Sequence, residues 1–280
     1  SGQTERERLT GHSRLRRCLV LSRACGCRLV VFASGCRLGP DRSGLTEKNK
    51  ATLRQFDSDH NTAILLDLPF RLFETAMSPA LNNQRAAVRA QIGIALAILT
   101  VAPLRMHNLI ALRLDQHIVY PGGPRGPVHI VIPANEAKAG EPIEYLLPTY
   151  VKELLDIYLR EFRIHLGDDS CPWLFLATGG NRKAQATLSQ QIKETITKET
   201  GLMVTPHQFR HIAAKFVLDH NPGNFETVRQ LLMHKNGKST SAFYIGLQSL
   251  NAGKHYDKLL SEKRKELAQQ SPPKSKRRRR

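Results

Sequence analysis

Between residues 45 and 268, apolar positions recur mainly every three or four residues, the spacing that gives an α-helix one buried face. That rhythm predicts short helices over 46–56 and 65–77, the second broken at Pro69. A long, largely apolar helix is expected over 82–101, ending before Pro103. Two strand candidates, 128–132 and 143–147, are joined by a turn containing Gly140 and predict a β-hairpin. Leu154, Leu155, Tyr158, Leu159 and Phe162 then return to helical spacing. A capping-box pattern, Thr187-Leu-Ser-Gln190, opens a further helix that Gly201 stops. Helices over 206–219, 225–234, 241–248 and 252–268 follow. The expected fold is mainly α with one small antiparallel β-sheet, an α+β class without internal repeats.

Both ends depart from this texture. Residues 1–44 hold nine Arg, no Lys and four of the five cysteines, and they keep no sustained period. They are expected to be an atypical segment, disordered or non-native. The spacing of Cys18, Cys25, Cys27 and Cys36 is not a zinc-ligand pattern, and Cys171 stands alone, so reduced thiols and no metal are expected. Residues 269–280 form a basic tail, expected to be disordered and to meet phosphates non-specifically. No apolar run approaches the roughly 20 residues of a membrane span. The expectation is therefore a cytoplasmic protein with no membrane partner.

Charge adds a partner class. The net charge is +18, with +6 in residues 1–44, six positive charges in residues 274–280, and +6 left for the body. Such a balance points to a polyanion, although a body charge of this size does not identify one.

The most informative stretch is Thr205-Pro-His-Gln-Phe-Arg-His211. Thr205 suits the N-cap, Pro206 the first helical position, and Gln208 completes a capping box. Phe209, Ile212, Ala213, Phe216 and Val217 mark a buried stripe. His207 and Arg210, three apart, share another face at a helix N-terminus, where unpaired N–H groups and the helix dipole favour an anion such as phosphate. Taken alone, the pair could equally be solvated or salt-bridged. Downstream, Leu231-Leu-Met-His234 closes a Leu-rich helix and Tyr244 follows ten residues later.

The order His-x-x-Arg, Leu-rich helix ending in His, then Tyr resembles the tyrosine recombinase (phage integrase) family, whose last His and Tyr are usually nine apart. The resemblance covers roughly 45–268 and implies the catalytic-domain fold of that family over 85–268. Residues 45–84 would then be a linker or remnant of the core-binding region. It further implies an Arg after a long apolar helix, met by Arg105 in Ala102-Pro-Leu-Arg105, and a Lys at a hairpin turn, met by Lys138. Many members carry an acid three residues after the first Arg, where this chain has Asn108.

What the resemblance implies is DNA strand cleavage and rejoining through a 3′-phosphotyrosyl intermediate, without metal or cofactor. Tyr244 would be the nucleophile, and Arg105 and Arg210 would clamp the phosphate. Lys138 would be the general acid, His207 the proton acceptor, and His234 a hydrogen-bond donor to phosphate. The implied role is site-specific recombination or integration in bacteria, at the nucleoid. The implied partners are double-stranded DNA and three further copies exchanging C-terminal segments. An inactive DNA-binding remnant and a type IB topoisomerase remain alternatives. Four further assignments are made from spacing. His211 is expected to point away from His207 as a structural residue. Tyr256 is expected in the core, or with Leu259, Leu260, Lys263 and Leu267 against a neighbouring protomer. Tyr145, Tyr150 and Tyr158 are expected to pack, and Trp173 to anchor the core.

Overall fold

The computed structural model describes residues 44–137, 140–168, 170–234, 240–241, 244, 253 and 256–267. Lys138, the segments 1–43 and 268–280, and most of the helix expected over 241–248 lie outside the described residues.

The fold is built round α3 (Asn83–Val101). Asn82 caps it, accepting from the Arg85 amide at 2.9 Å. From Ala86 to Leu99 the helix is apolar on nearly every side, and residues on all its faces are buried. Such a helix needs protein all round it. That surround comes from α2 (Asp59–Ala76), α5 (Thr149–Ile157), the π-helical turn Tyr158–Phe162, α6 (Gln185–Thr200) and α7 (Phe209–His220). One polar residue inside the core, Gln91, is tied by its amide nitrogen to the Tyr158 hydroxyl (2.9 Å) and the Leu176 carbonyl (3.1 Å).

The predicted hairpin is present as β2 (Val128–Ile132) and β3 (Ile143–Leu147), paired from Val128 with Leu147 to Ile132 with Ile143. A two-residue strand, β1 (Ile118–Val119), adds to β2 and was too short to announce itself. Alternation places Val128, Ile130, Ile132, Ile143, Tyr145 and Leu147 on the core face.

Several boundaries move. The helix α2 begins at Asp59 and runs unbroken through Pro69. Its first turn is polar, so apolar spacing misses it, and burial of Pro69 against α3 outweighs the lost backbone hydrogen bond. The helix α6 starts at Gln185 behind Ala184, so Thr187 lies inside the first turn instead of capping it. Tyr145 and Tyr158 pack as expected, but Tyr150 is exposed. Trp173 is only half-buried and lies between the guanidiniums of Arg113 and Arg182, 5.5 and 4.5 Å from their carbons. Residues 256–267 are helical, and Tyr256, Leu259 and Leu267 are exposed. Tyr256 is therefore not a core residue.

The crossing of α2 and α3 depends on Gly93, where a Cβ would lie 2.9 Å from the Phe73 ring and 3.3 Å from the Pro69 carbonyl. Phe73 cannot yield easily, because it is buried edge-on against Phe162. Gly93→Val is expected to lower stability by about 2–3 kcal/mol through overpacking, read as a drop in the urea midpoint.

Candidate active site

Four short features bring the site together. The first is the end of α3. Pro103 cannot continue the helix, and the chain turns through Ala102 to Arg105, which is extended and N-caps α4 (Met106–Ile110). Arg105 is thereby held at the domain surface beside the start of α7.

The second is the Thr205–Arg210 turn. Gln208 closes back on the Thr205 amide at 2.8 Å, the reciprocal half of a capping box. The first turn, Pro206–Gln208, is 3-10 and runs directly into α7. His207 is exposed and Arg210 is 5% exposed. His207 and His211 are four apart on this helix, so they share a face, and their rings meet edge-on at 5.4 Å. His211 therefore does not point away from His207.

The third feature follows α8 (Phe225–Leu231). His234 does not end that helix. It lies three residues beyond, after Met233 adopts a left-handed backbone (φ 48°), unusual for a residue with a side chain. That turn lets the Leu232 carbonyl and the His234 ring face Arg210. One Arg210 nitrogen donates to the Pro103 carbonyl at 2.7 Å. The other donates to the Leu232 carbonyl at 2.6 Å and to His234 Nε2 at 2.9 Å. Since a guanidinium can only donate, Nε2 must accept, and the neutral ring carries its proton on Nδ1, 3.0 Å from Thr240 Oγ1.

The fourth is Tyr244, helical and only 1% exposed, with its hydroxyl 3.0 Å from His211 Nδ1. The hairpin turn before residue 138 is closed locally. The Glu136 and Ala137 amides donate to the Pro133 carbonyl at 3.0 and 3.1 Å, and His117 Nε2 lies 3.2 Å from Glu136 Oε2. Asn108 is 3% exposed, and its amide nitrogen has no acceptor among the described residues.

Electrostatics follow from burial beside two cations. Burial and then Arg105 push Arg210 down to about 10. Partial desolvation of the otherwise exposed His207, then Arg210 and Arg105, lower its pKa, and burial with the same two cations takes His234 to about 4. His211 is also lowered to about 4, first by burial and then by His207. Burial pushes the Tyr244 hydroxyl up to about 12 against the pull of Arg210. No carboxylate among the described residues forms an ion pair with Arg105 or Arg210. Two like charges held together without a counter-charge make an anion site, and neutral imidazoles beside them can accept protons.

Residues 73–249 match the model of the phage integrase family. The chain belongs to that family. No curated protein sequence matches it. Among solved structures it is similar to a XerH site-specific recombinase bound to palindromic difH substrate, in a post-cleavage complex. That likeness has 18% identity and a TM-score of 0.51, over 76% of this chain and 52% of that one. It is also similar to a XerA recombinase, with 21% identity, a TM-score of 0.47, and 69% and 61% of the two chains covered. The first likeness concerns the fold, and this integrase-family chain spans about half the length of the XerH chain.

Of the six site residues expected for an integrase-family domain, Arg210, His207, His234 and Tyr244 are brought together, and Arg105 lies within electrostatic reach of three of them. Lys138 is outside the described residues. His211, Asn49 and Thr240 were missed. The i,i+4 spacing of His207 and His211 was the available signal for the first, while the other two carry none.

The imidazole shifts make stability depend on pH. A His whose folded pKa lies below its unfolded value near 6.5 binds more protons when unfolded. Stability is therefore full above about pH 6.5 and falls as pH drops toward 4, by up to roughly 3 kcal/mol for each of His211 and His234. The urea midpoint should fall between pH 7 and 4.5, and His234→Asn should flatten part of that fall.

Proposed function

We propose that the chain is the catalytic part of a site-specific DNA recombinase or integrase that cuts and rejoins strands through a 3′-phosphotyrosyl link. The observation that carries this reading is the pair Arg105 and Arg210. Among the described residues the two guanidiniums have no carboxylate partner, and they stand beside His207 and His234 and close to the Tyr244 hydroxyl. A phosphodiester supplies the missing negative charge, and its transition state adds more. The XerH protein of similar fold is a site-specific recombinase bound to its palindromic difH substrate, in keeping with a recombination substrate here.

In this mechanism Tyr244 Oη attacks the scissile phosphorus and the 5′-oxygen leaves. The phenol proton passes to His207, which is neutral near pH 7 because burial and two Arg charges depress it. Lys138 protonates the departing 5′-oxygen. A 5′-hydroxyl then attacks the phosphotyrosyl phosphorus, reforming a phosphodiester and returning the phenol, so bond energy is kept in the ester and no nucleotide is spent. Arg105 and Arg210 hold the non-bridging oxygens. To donate from Nε2 to phosphate, His234 would release Arg210 and take the other tautomer, with Nδ1 then accepting from the Thr240 hydroxyl.

The finer setting is part of the same proposal: a bacterial, nucleoid-associated enzyme working as a tetramer. The exposed Tyr256, Leu259 and Leu267 on one C-terminal helix suit docking on a neighbouring copy.

The test is a pool of randomised, nicked DNA duplexes, 5′-labelled and mixed with the full chain, from which SDS-stable protein–DNA adducts are recovered. An adduct is expected with the wild type and none with Tyr244→Phe, while Arg210→Ala should slow adduct formation by about 10²–10³-fold. No adduct from the pool would overturn the reading, and sequence-independent relaxation of supercoiled plasmid would replace it with a topoisomerase.

A further inference from the structure

The neighbourhood of Tyr244 contains a chain of hydrogen bonds whose direction can be read from end to end. It begins at the Thr205 backbone N–H, which can only donate and does so to Gln208 Oε1 at 2.8 Å. The Gln208 amide is thereby oriented, and Nε2 must face the other way. It donates to Thr52 Oγ1 at 2.7 Å and to Asn49 Oδ1 at 3.3 Å. Thr52 is consistent with this direction, because its own hydroxyl proton goes to the Lys48 carbonyl at 3.1 Å. Asn49 is now oriented in turn, so its Nδ2 donates to His211 Nε2 at 3.3 Å. A neutral imidazole that accepts at Nε2 carries its proton on Nδ1. His211 Nδ1 is 3.0 Å from the Tyr244 hydroxyl, so the ring donates to that oxygen.

We infer that His211 is a nucleophile-positioning residue: its Nδ1–H, held in that tautomer by Asn49 of α1 (Glu47–Arg54), donates to Tyr244 Oη. The inference rests on the recombinase reading for its catalytic meaning. As a donor, His211 cannot be the base that takes the phenol proton, which must pass to another acceptor. What the donation does is favour negative charge on Oη as the proton leaves, and hold the oxygen in one place. The ring suits that task because it is 6% exposed and, with its pKa pushed down, stays neutral near pH 7. The described groups that face it are consistent with neutrality: His207 on its own helix, Arg210, His234 and Tyr244 across the site, and the Asn49 amide from α1.

The direction of the chain also says what reverses it. An Asp at position 49 has no proton to give His211 Nε2 near neutral pH. The imidazole would turn its N–H toward that carboxylate, leaving Nδ1 to accept from Tyr244 or the ring doubly protonated.

The test uses the full chain with ¹⁵N-labelled histidine and reads the His211 tautomer at pH 7.5 from its two-bond nitrogen–proton correlations, assigned by their loss in His211→Asn. A bare Nε2 and a protonated Nδ1 are expected, changing in Asn49→Asp to a protonated Nε2. A wild-type ring protonated on Nε2 overturns the inference. A second readout is the rate of adduct formation on duplexes recovered from the randomised pool. His211→Asn, whose amide nitrogen takes the place of Nδ1, should stay within about threefold of wild type, whereas His211→Leu should fall about 10²-fold, as when a donor to a developing oxyanion is removed. Equal loss in both variants overturns the positioning role. If the wild type forms no adduct at all, the recombinase reading falls, and the tautomer measurement still decides the hydrogen-bond direction.

Discussion

Arg210 reaches from α7 to the Pro103 carbonyl at the end of α3, to the Leu232 carbonyl after α8, and to the ring of His234. Those three contacts tie together segments more than a hundred residues apart in the chain. A guanidinium taken from water without a counter-ion costs several kcal/mol, and backbone carbonyls return only part of that. The domain accepts the cost at the point where its helices converge. The Pro103 break and the left-handed Met233 both present a carbonyl to the same cation.

Arg105 turns that structural feature into a chemical one. Placed beside Arg210, it lowers the affinity of Arg210, His207 and His234 for a proton and adds a second unneutralised positive charge. On the proposed reading an incoming phosphate would relieve both strains at once, making binding free energy available at the atoms where the transition state gathers charge. Burial first, and then the neighbouring positive groups, account for the neutrality of His207, His211 and His234. Were they protonated, their mutual repulsion would oppose the packing that brings them together. Tyr244 meanwhile is more reluctant to ionise than free tyrosine, because burial outweighs the attraction of Arg210. Its reactivity has to be supplied by directed hydrogen bonds.

Periodicity made the helical core legible, since α3 is apolar on all sides and β2 and β3 alternate cleanly. The motif from Thr205 to His211 likewise announced the capping box, whereas of the stripe expected behind it only Phe209 and Ile212 are buried. What escaped depended on contacts between segments distant in sequence. Pro69 reads as a break unless the helix it packs against is known. The backbone of Met233, which places His234 off the helix, is imposed by the site and not by residue type. Asn49 is an ordinary polar residue on an exposed-looking helix until α1 is laid against α7. Resemblance to the integrase family pointed to the residues expected to touch phosphate, because their types and order carry the chemistry. It was silent on residues that act through a neighbour, where geometry alone distinguishes a functional amide from a solvated one.

The position of α1 changes how the chain divides. Residues 45–84 read as a linker outside the catalytic domain, yet Thr52 and Asn49 meet Gln208, and Asn49 meets His211. Lys215 of α7 also pairs with Asp57, just beyond α1, at 2.8 Å. A hydrogen-bonded chain of amides transmits orientation, because each donor fixes the next acceptor. Displacing α1 would thus leave the nucleophile and its neighbours intact while removing the group that fixes the His211 tautomer. The segment expected to connect the domain to something else is wired into the side chain that touches Tyr244. On the proposed reading, the residue that orients His211 therefore sits on α1, ahead of the first helix of the core.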